Sequence, residues 1–125
     1  MNTTKEKFEE FVSDALDNLP EKFRKKLNNV AIFVEDVPTT EQKNKLRLRK
    51  DDMLLGLFEG FSQAKRLNFG PVLPDKITIF RRSILSHCNS EDDIEKQITK
   101  TLKHEVAHHF GLDEIGARKA AKIKS

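Results

Sequence analysis

The chain has 125 residues, 37% of them hydrophobic and 34% charged, with a formal net charge of +3. That length fits one domain over residues 1–125 and can bury about two-thirds of its unfolded surface, and nine Phe supply core material, which excludes wholesale disorder. One cysteine, Cys88, excludes an internal disulfide, and a mild positive charge diluted by 20 acidic residues does not mark a nucleic-acid binder.

Residues Met1 to Glu10 are polar and lack the apolar core of a signal peptide. No apolar run approaches the roughly 20 residues that cross a bilayer. The expectation is a cytoplasmic protein with no membrane partner. Phe8, Phe11, Val12, Ala15, Leu16 and Leu19 then recur at helical spacing and predict an amphipathic helix, with Thr3 and Glu6 as its capping box. Pro20 suits the first turn of a second, shorter helix that faces Phe23 and Leu27 inward.

Val30 to Glu35 is β-branched and aromatic, which predicts a strand. The stretch from Asp36 to Asp52 reads as a solvated loop. It carries Lys43, Lys45, Arg47, Arg49 and Lys50, but no aromatic residue is interleaved for base stacking. Met53 to Phe58 reads as a second strand, in which Gly56 marks a bulge or a close backbone approach. Phe61 to Asp75 holds Gly70, Pro71 and Pro74 and reads as loop. Lys76 to Phe80 is a third strand, and Arg81 to Cys88 includes a short helical turn. Arg81 and Arg82 at the strand end read as solvated, and Cys88 reads as a small buried residue.

Ser90 and Asp93 open the main helix, and Glu91 and Asp92 add negative charge where the helix dipole favours it. Ile94, Ile98, Leu102, Val106 and Phe110 recur every four residues as a slowly drifting apolar stripe. Gly111 ends the helix, and a final helix runs from about Ile115 to Ile123.

Residues 104–114 read HEVAHHFGLDE, and the first five fit HExxH. His104 and His108 stand one turn apart on one helical face, so two imidazoles can grip one metal ion. Glu105 is one residue on, about 100° around the helix axis, where it misses the metal and still reaches a water beside it. The histidines border the apolar stripe, which puts them at the edge of the core, facing a cleft. A catalytic zinc has three protein ligands and an open position. Glu114 is the favoured third ligand by its register. Asp113 competes, and also suits the N-cap of the final helix. A chance HExxH in a chain this short is an event of order one in several hundred. His109 points about 100° from His108 and reads as a half-exposed helix residue outside the metal site.

The run HEVAHHFGLDE resembles the extended zincin motif HExxHxxGxx(H/D). Together with LLGLFEG (Leu54 to Gly60) and LPDKITIFR (Leu73 to Arg81), it resembles the small bacterial minimal zincins, a metallopeptidase family. The resemblance implies an α+β fold, with a small mixed β-sheet packed on helices and an active-site helix lying against it. It implies a zinc ion held by His104, His108 and an acidic residue at the last motif position. That residue is commonly Asp; here it is Glu114, preceded by Asp113.

The expected activity is hydrolysis of a peptide or protein substrate, with zinc activating water and Glu105 as general base. An edge strand would bind the substrate backbone, with Met53 to Phe58 or Lys76 to Phe80 as candidates. Two other classes compete. One is a non-catalytic zinc-binding interaction module, which has no need of Glu105 and would use four closed ligands. The other is a basic adaptor acting through Lys43 to Lys50, whose binding would weaken steeply with salt.

Overall fold

The computed structural model describes residues 2–49, 53–60 and 74–110. Helix α1 spans Lys5–Asp17 and opens on Thr4, whose hydroxyl accepts from the Lys7 N–H at 3.2 Å. The cap is thus one residue later than the sequence pattern places it, because Thr4 is the residue in extended conformation ahead of the first turn. Phe8, Val12 and Ala15 are buried along one face of α1. Pro20 stands at the N-cap of α2 (Glu21–Lys26), and Leu27 follows it into the core.

Strand β1 (Val30–Glu35) leads to a helix where the sequence pattern predicts only loop. This is α3, Thr40–Lys45, fixed by a full capping box. Thr39 Oγ1 accepts from Gln42 N at 3.0 Å, and Gln42 Oε1 accepts from Thr39 N at 2.9 Å. Its exit passes through Arg47 at φ 54°, and the Leu48 N–H donates to the Lys43 carbonyl at 2.9 Å, which is a Schellman closure. Strand β2 is Gly56–Glu59 and β3 is Asp75–Phe80. Two helices follow: α4 (Arg81–Ser86) and the 20-residue α5 (Glu91–Phe110).

The expected second strand therefore begins three residues late. Met53 to Leu55 lie outside the β2 ladder, although Leu54 and Leu55 are buried and Leu55 O accepts from Phe80 N at 3.0 Å. The expected loop from Phe61 falls mostly outside the described residues, as do Gly111 and the expected final helix.

The three described strands form one mixed sheet in the order β1–β3–β2, with β1 parallel and β2 antiparallel to β3. Ile77 lies opposite Ile32 and Phe58, and Ile79 opposite Val34 and Gly56. Directly opposed residues share a face, so this set forms one side of the sheet. That side packs on α1 and α5. Ile77, Ile79, Ile94, Ile98, Leu102 and Val106 are fully buried in the core there. Each such side chain is worth about 1.5–3 kcal/mol of burial.

Arg81 is not solvated. Its Nε lies 2.9 Å from Asp36 Oδ1, and its Nη1 donates to the Thr3 carbonyl. The Asp36 carbonyl also accepts from Arg82 N at 3.1 Å. These contacts tie the entry to α1, the end of β1 and the start of α4 together. Cys88 is buried as expected, its Sγ 3.2 Å from the Ile84 carbonyl, and burial raises its pKa. No helix among the described residues is long and apolar enough to cross a membrane.

Gly56 is a close approach and not a bulge. A β-carbon there would stand 2.7 Å from Thr101 Cγ2 of α5. Thr101 cannot turn away freely, because its hydroxyl donates to the Gln97 carbonyl at 2.9 Å. Gly56→Ala is expected to cost about 1–3 kcal/mol of stability. Thr101→Ser removes that methyl group, so it should cost less in the Gly56→Ala background than in wild type. Thermal unfolding of the four proteins in the cycle measures this coupling, and additive effects would rule out the contact.

The hydrogen bond from Arg81 is the main cause that lowers the Asp36 pKa below its ordinary 3.8, with the Arg81 charge adding to it. A lowered carboxyl pKa stabilises the fold fully above the unfolded value and ceases to as pH falls through the folded one. The difference in melting temperature between wild type and Asp36→Asn should therefore be constant near neutrality. It should shrink below about pH 4. A difference that persists at pH 2 would mean Asp36 acts by something other than its charge.

Candidate metal centre

The last two turns of α5 carry the candidate residues, and the helix is anchored well away from them. At its N-terminus, Asp93 Oδ2 accepts from Asn89 N at 2.9 Å and from Ser90 N at 3.3 Å, which is the side-chain half of the expected capping pair. The stripe from Ile94 to Val106 fixes which way the helix faces. His104 and His108 fall beside that stripe, His104 half-buried and His108 exposed. Glu105 falls on the buried side, and its side chain is only 7% exposed.

The structure brings His104 and His108 together as the spacing predicts. Their rings are nearly parallel, 6° apart in plane, with centroids separated by 6.1 Å. Zinc sits about 2.0–2.1 Å from an imidazole nitrogen, so two rings on one tetrahedral ion have centroids about 5 Å apart, and these two would close by about 1 Å to share it. His104 Nδ1 is buried and has no hydrogen-bond partner. A buried ring nitrogen in that state lacks what a metal or an ordered water supplies. Two imidazoles with a nearby carboxylate are also a donor set suited to zinc. The described residues therefore offer two suitable donors to the ion. They do not complete its shell: no three His, Cys, Asp or Glu among them converge on one point. Glu114 and Asp113, the expected third ligands, lie outside the described residues.

His109 is more engaged than a bystander on the helix surface. Its ring stacks on Phe58 of β2 at 4.3 Å between centroids and 18° between planes. Phe58 also meets Phe110 edge-on at 5.5 Å. His109 Nε2 lies 3.6 Å from Glu105 Oε2. Burial lowers the His109 pKa below its ordinary 6.5, and the neighbouring His108 and His104 lower it further. Burial and the neighbouring rings thus disfavour the charged form of the ring beside the Glu105 carboxylate. No local sequence signal marks this arrangement, because Phe58 and His109 are 51 positions apart and meet only through the packing of β2 on α5.

Of the two strands named as substrate edges, β3 is excluded. It is the central strand, paired on one side with β1 and on the other with β2. Among the described residues β2 is an edge, and it is the edge that runs beside the end of α5. His87 and Cys88 each turn to α4, with His87 Nδ1 2.9 Å from the Ser83 carbonyl, so they make no ligand pair with one another.

Residues 27–120 match the model of a family described as zincin-like metallopeptidase. The chain belongs to that family. The match covers both histidines, Glu105 and both candidate carboxylates, and the family implies a bound metal, typically zinc. Among solved structures, the chain is similar to a conserved hypothetical protein from Thermo thermophilus. The TM-score is 0.59 at 25% identity, covering 86% of this chain and 94% of that one. None of the curated proteins compared with the chain matches it. The α+β zincin-like fold expected from the sequence is the fold observed.

Phe58 should hold the His109 ring in place. Phe58→Leu is expected to cost about 0.5–1.5 kcal/mol from the lost aromatic pairs, beyond the change in buried area. It should also shift the His109 ring-proton resonances downfield as the ring current is lost. Unmoved resonances would mean the stack is not populated.

Proposed function

We propose that this chain is a zinc-dependent peptidase that hydrolyses peptide bonds with Glu105 as general base. The observation that carries this reading is the placement of a buried carboxylate, Glu105, beside two imidazoles that stand one helical turn apart. A structural zinc site has no use for a general base beside it and is usually closed by four protein ligands.

His104 and His108 would hold the ion, with Glu114 as third ligand by register and Asp113 as the alternative. Bound zinc would lower the pKa of a water toward 7 and polarise the scissile carbonyl. Glu105 takes the proton of the attacking water and hands it to the leaving amine. The low exposure of its carboxylate keeps bulk water from competing for that proton. The β2 edge suits the substrate, since edge backbone groups can pair with an extended peptide while Phe58 faces the end of α5. A peptide or protein segment able to lie extended is thus the expected substrate.

Zinc content after dialysis tests the site, and peptide-library cleavage tests the chemistry. Wild type should hold close to one zinc per chain. His104→Ala and His108→Ala should lose it. Of Glu114→Ala and Asp113→Ala, only the one that removes a ligand should lose it. Glu105→Gln should keep the zinc and lose about 10²–10⁴-fold in turnover, the usual worth of a general base. Equal turnover by Glu105→Gln and wild type would remove Glu105 from this role. A wild type that holds no zinc after reconstitution would sink the reading altogether.

A further inference from the structure

We propose that Lys100, backed by Lys96 and Lys103, binds the acidic flank of the substrate, so that the site takes peptides carrying Asp or Glu close to the scissile bond. The inference rests on the peptidase reading given above and deepens it by naming a substrate class.

The position of Lys100 points to it. Lys100, His104 and His108 follow one another at i, i+4 spacing on α5, so the lysine continues the ladder of the two histidines. Around the helix axis, Thr101 faces β2, where its methyl group meets Gly56. His104 lies about 60° round from Thr101, and Lys100 about 100° round in the same sense. A peptide paired on the β2 edge therefore crosses the histidines and then meets Lys100. One helical turn, about 6 Å, separates Lys100 from His104, which is about two residues of extended chain.

The charge around Lys100 is not balanced on its own helix. No acidic residue stands three or four positions from Lys100 or Lys103, while Lys96 and Lys103 stand at those spacings from Lys100. Like charges so placed destabilise a helix. By contrast, Lys7 and Lys25 pair with Glu91 and Glu21 at 2.9 and 3.5 Å. The helix dipole does not account for the three lysines either. Its effect is confined to the last turn, and there the basic residues of α5 are His108 and His109. Helix α2 adds positive charge, since Lys22 and Lys103 stand over the Phe23 ring at 5.4 and 5.8 Å. That ring also helps to hold the Lys103 ammonium in place. Carboxylates of a bound peptide would relieve the repulsion. The three lysines line one half of an open groove of about 620 Å³ along α5, and Glu91, Asp92 and Glu95 line the other half. A nucleic-acid strand carries charge along its whole length and would be repelled from the acidic half. A peptide with its carboxylates on one side suits both halves.

Fluorescence anisotropy with the full chain tests the contact without zinc or turnover. The probes are a labelled peptide with a run of Asp and Glu, the same peptide with Asn and Gln in their place, and a single-stranded oligonucleotide of equal charge. Wild type should bind the acidic peptide about tenfold tighter than its amide counterpart, and added salt should shrink the difference. Lys100→Gln/Lys103→Gln should lose about three- to tenfold in affinity for the acidic peptide and nothing for the amide one. Lys96→Gln/Lys100→Gln carries the test if that variant fails to fold by circular dichroism. Lys43→Gln/Lys45→Gln on α3 removes the same charge away from the groove and should bind as wild type does. Equal binding of the two peptides by wild type overturns the inference. An equal loss in the α3 variant, or tighter binding of the oligonucleotide than of the acidic peptide, also overturns it. With zinc restored, wild type should cleave the acidic peptide at the lower KM, and the Lys100 variants should lose that preference with kcat kept. Cleavage of both peptides at equal kcat/KM overturns the inference and leaves the proposed function standing. A zinc-loaded wild type that binds the acidic peptide and cleaves no peptide overturns the proposed function and leaves the lysines as an acidic-peptide site.

Discussion

The distance between β2 and α5 is set where Gly56 meets Thr101, and the arrangement of the site depends on it. A residue with a β-carbon at Gly56 would push the edge strand off the helix. With glycine there, Phe58, two residues on, reaches the last turns of α5 and closes over His109 and Phe110. Thr101 is one turn before Glu105 on the same buried face. The contact that sets the strand spacing therefore also sets how far the candidate base lies from the edge on which a substrate would pair. A small domain has little wall with which to build a cleft.

The same packing explains the electrostatics. The apolar stripe of α5 is continuous from Ile94 to Val106, and Glu105 interrupts its border with a carboxylate. Burying a charge is expensive unless it has partners, and the His109 ring, 3.6 Å from this carboxylate, is one of its neighbours. The half-buried His104 keeps a buried Nδ1 that has no hydrogen-bond partner among the described residues.

Much of this is legible in the sequence, and the reasons differ by element. The α5 stripe and the HExxH spacing can be read because both are periodic on one helix, and local period survives folding. Strand β1 can be read because VAIFVE has one conformation that suits it. The α3 helix escapes the pattern although Thr39 and Gln42 spell out a capping box. Five basic residues between Lys43 and Lys50 give no apolar face, and a cap without a face is a weak signal. Met53 to Leu55 blend into β2 because MLLGLF is apolar throughout and has no alternation to mark where pairing starts. Arg81 looks solvated in the sequence because its partner, Asp36, is 45 positions away. The stack of Phe58 on His109 is hidden for the same reason. Contacts between distant segments are products of topology, and periodicity carries no information about them.

Helix geometry also says why the third ligand is the hard part. Two residues at i and i+4 lie about 6 Å apart along the axis and about 40° around it, close enough to share an ion. A third at i+8 would lie about 12 Å from the first and about 80° around, out of reach of the same ion. A straight helix can thus give two donors to a zinc and never three. The remaining donor has to come from chain that has left the helix axis, and the sequence places Gly111 directly after α5, with Asp113 and Glu114 just beyond. The periodic part of the motif, the part that a sequence can specify on its own, is the part that the fold shows assembled. The rest depends on a change of chain direction, where a shift of one residue decides between two adjacent carboxylates.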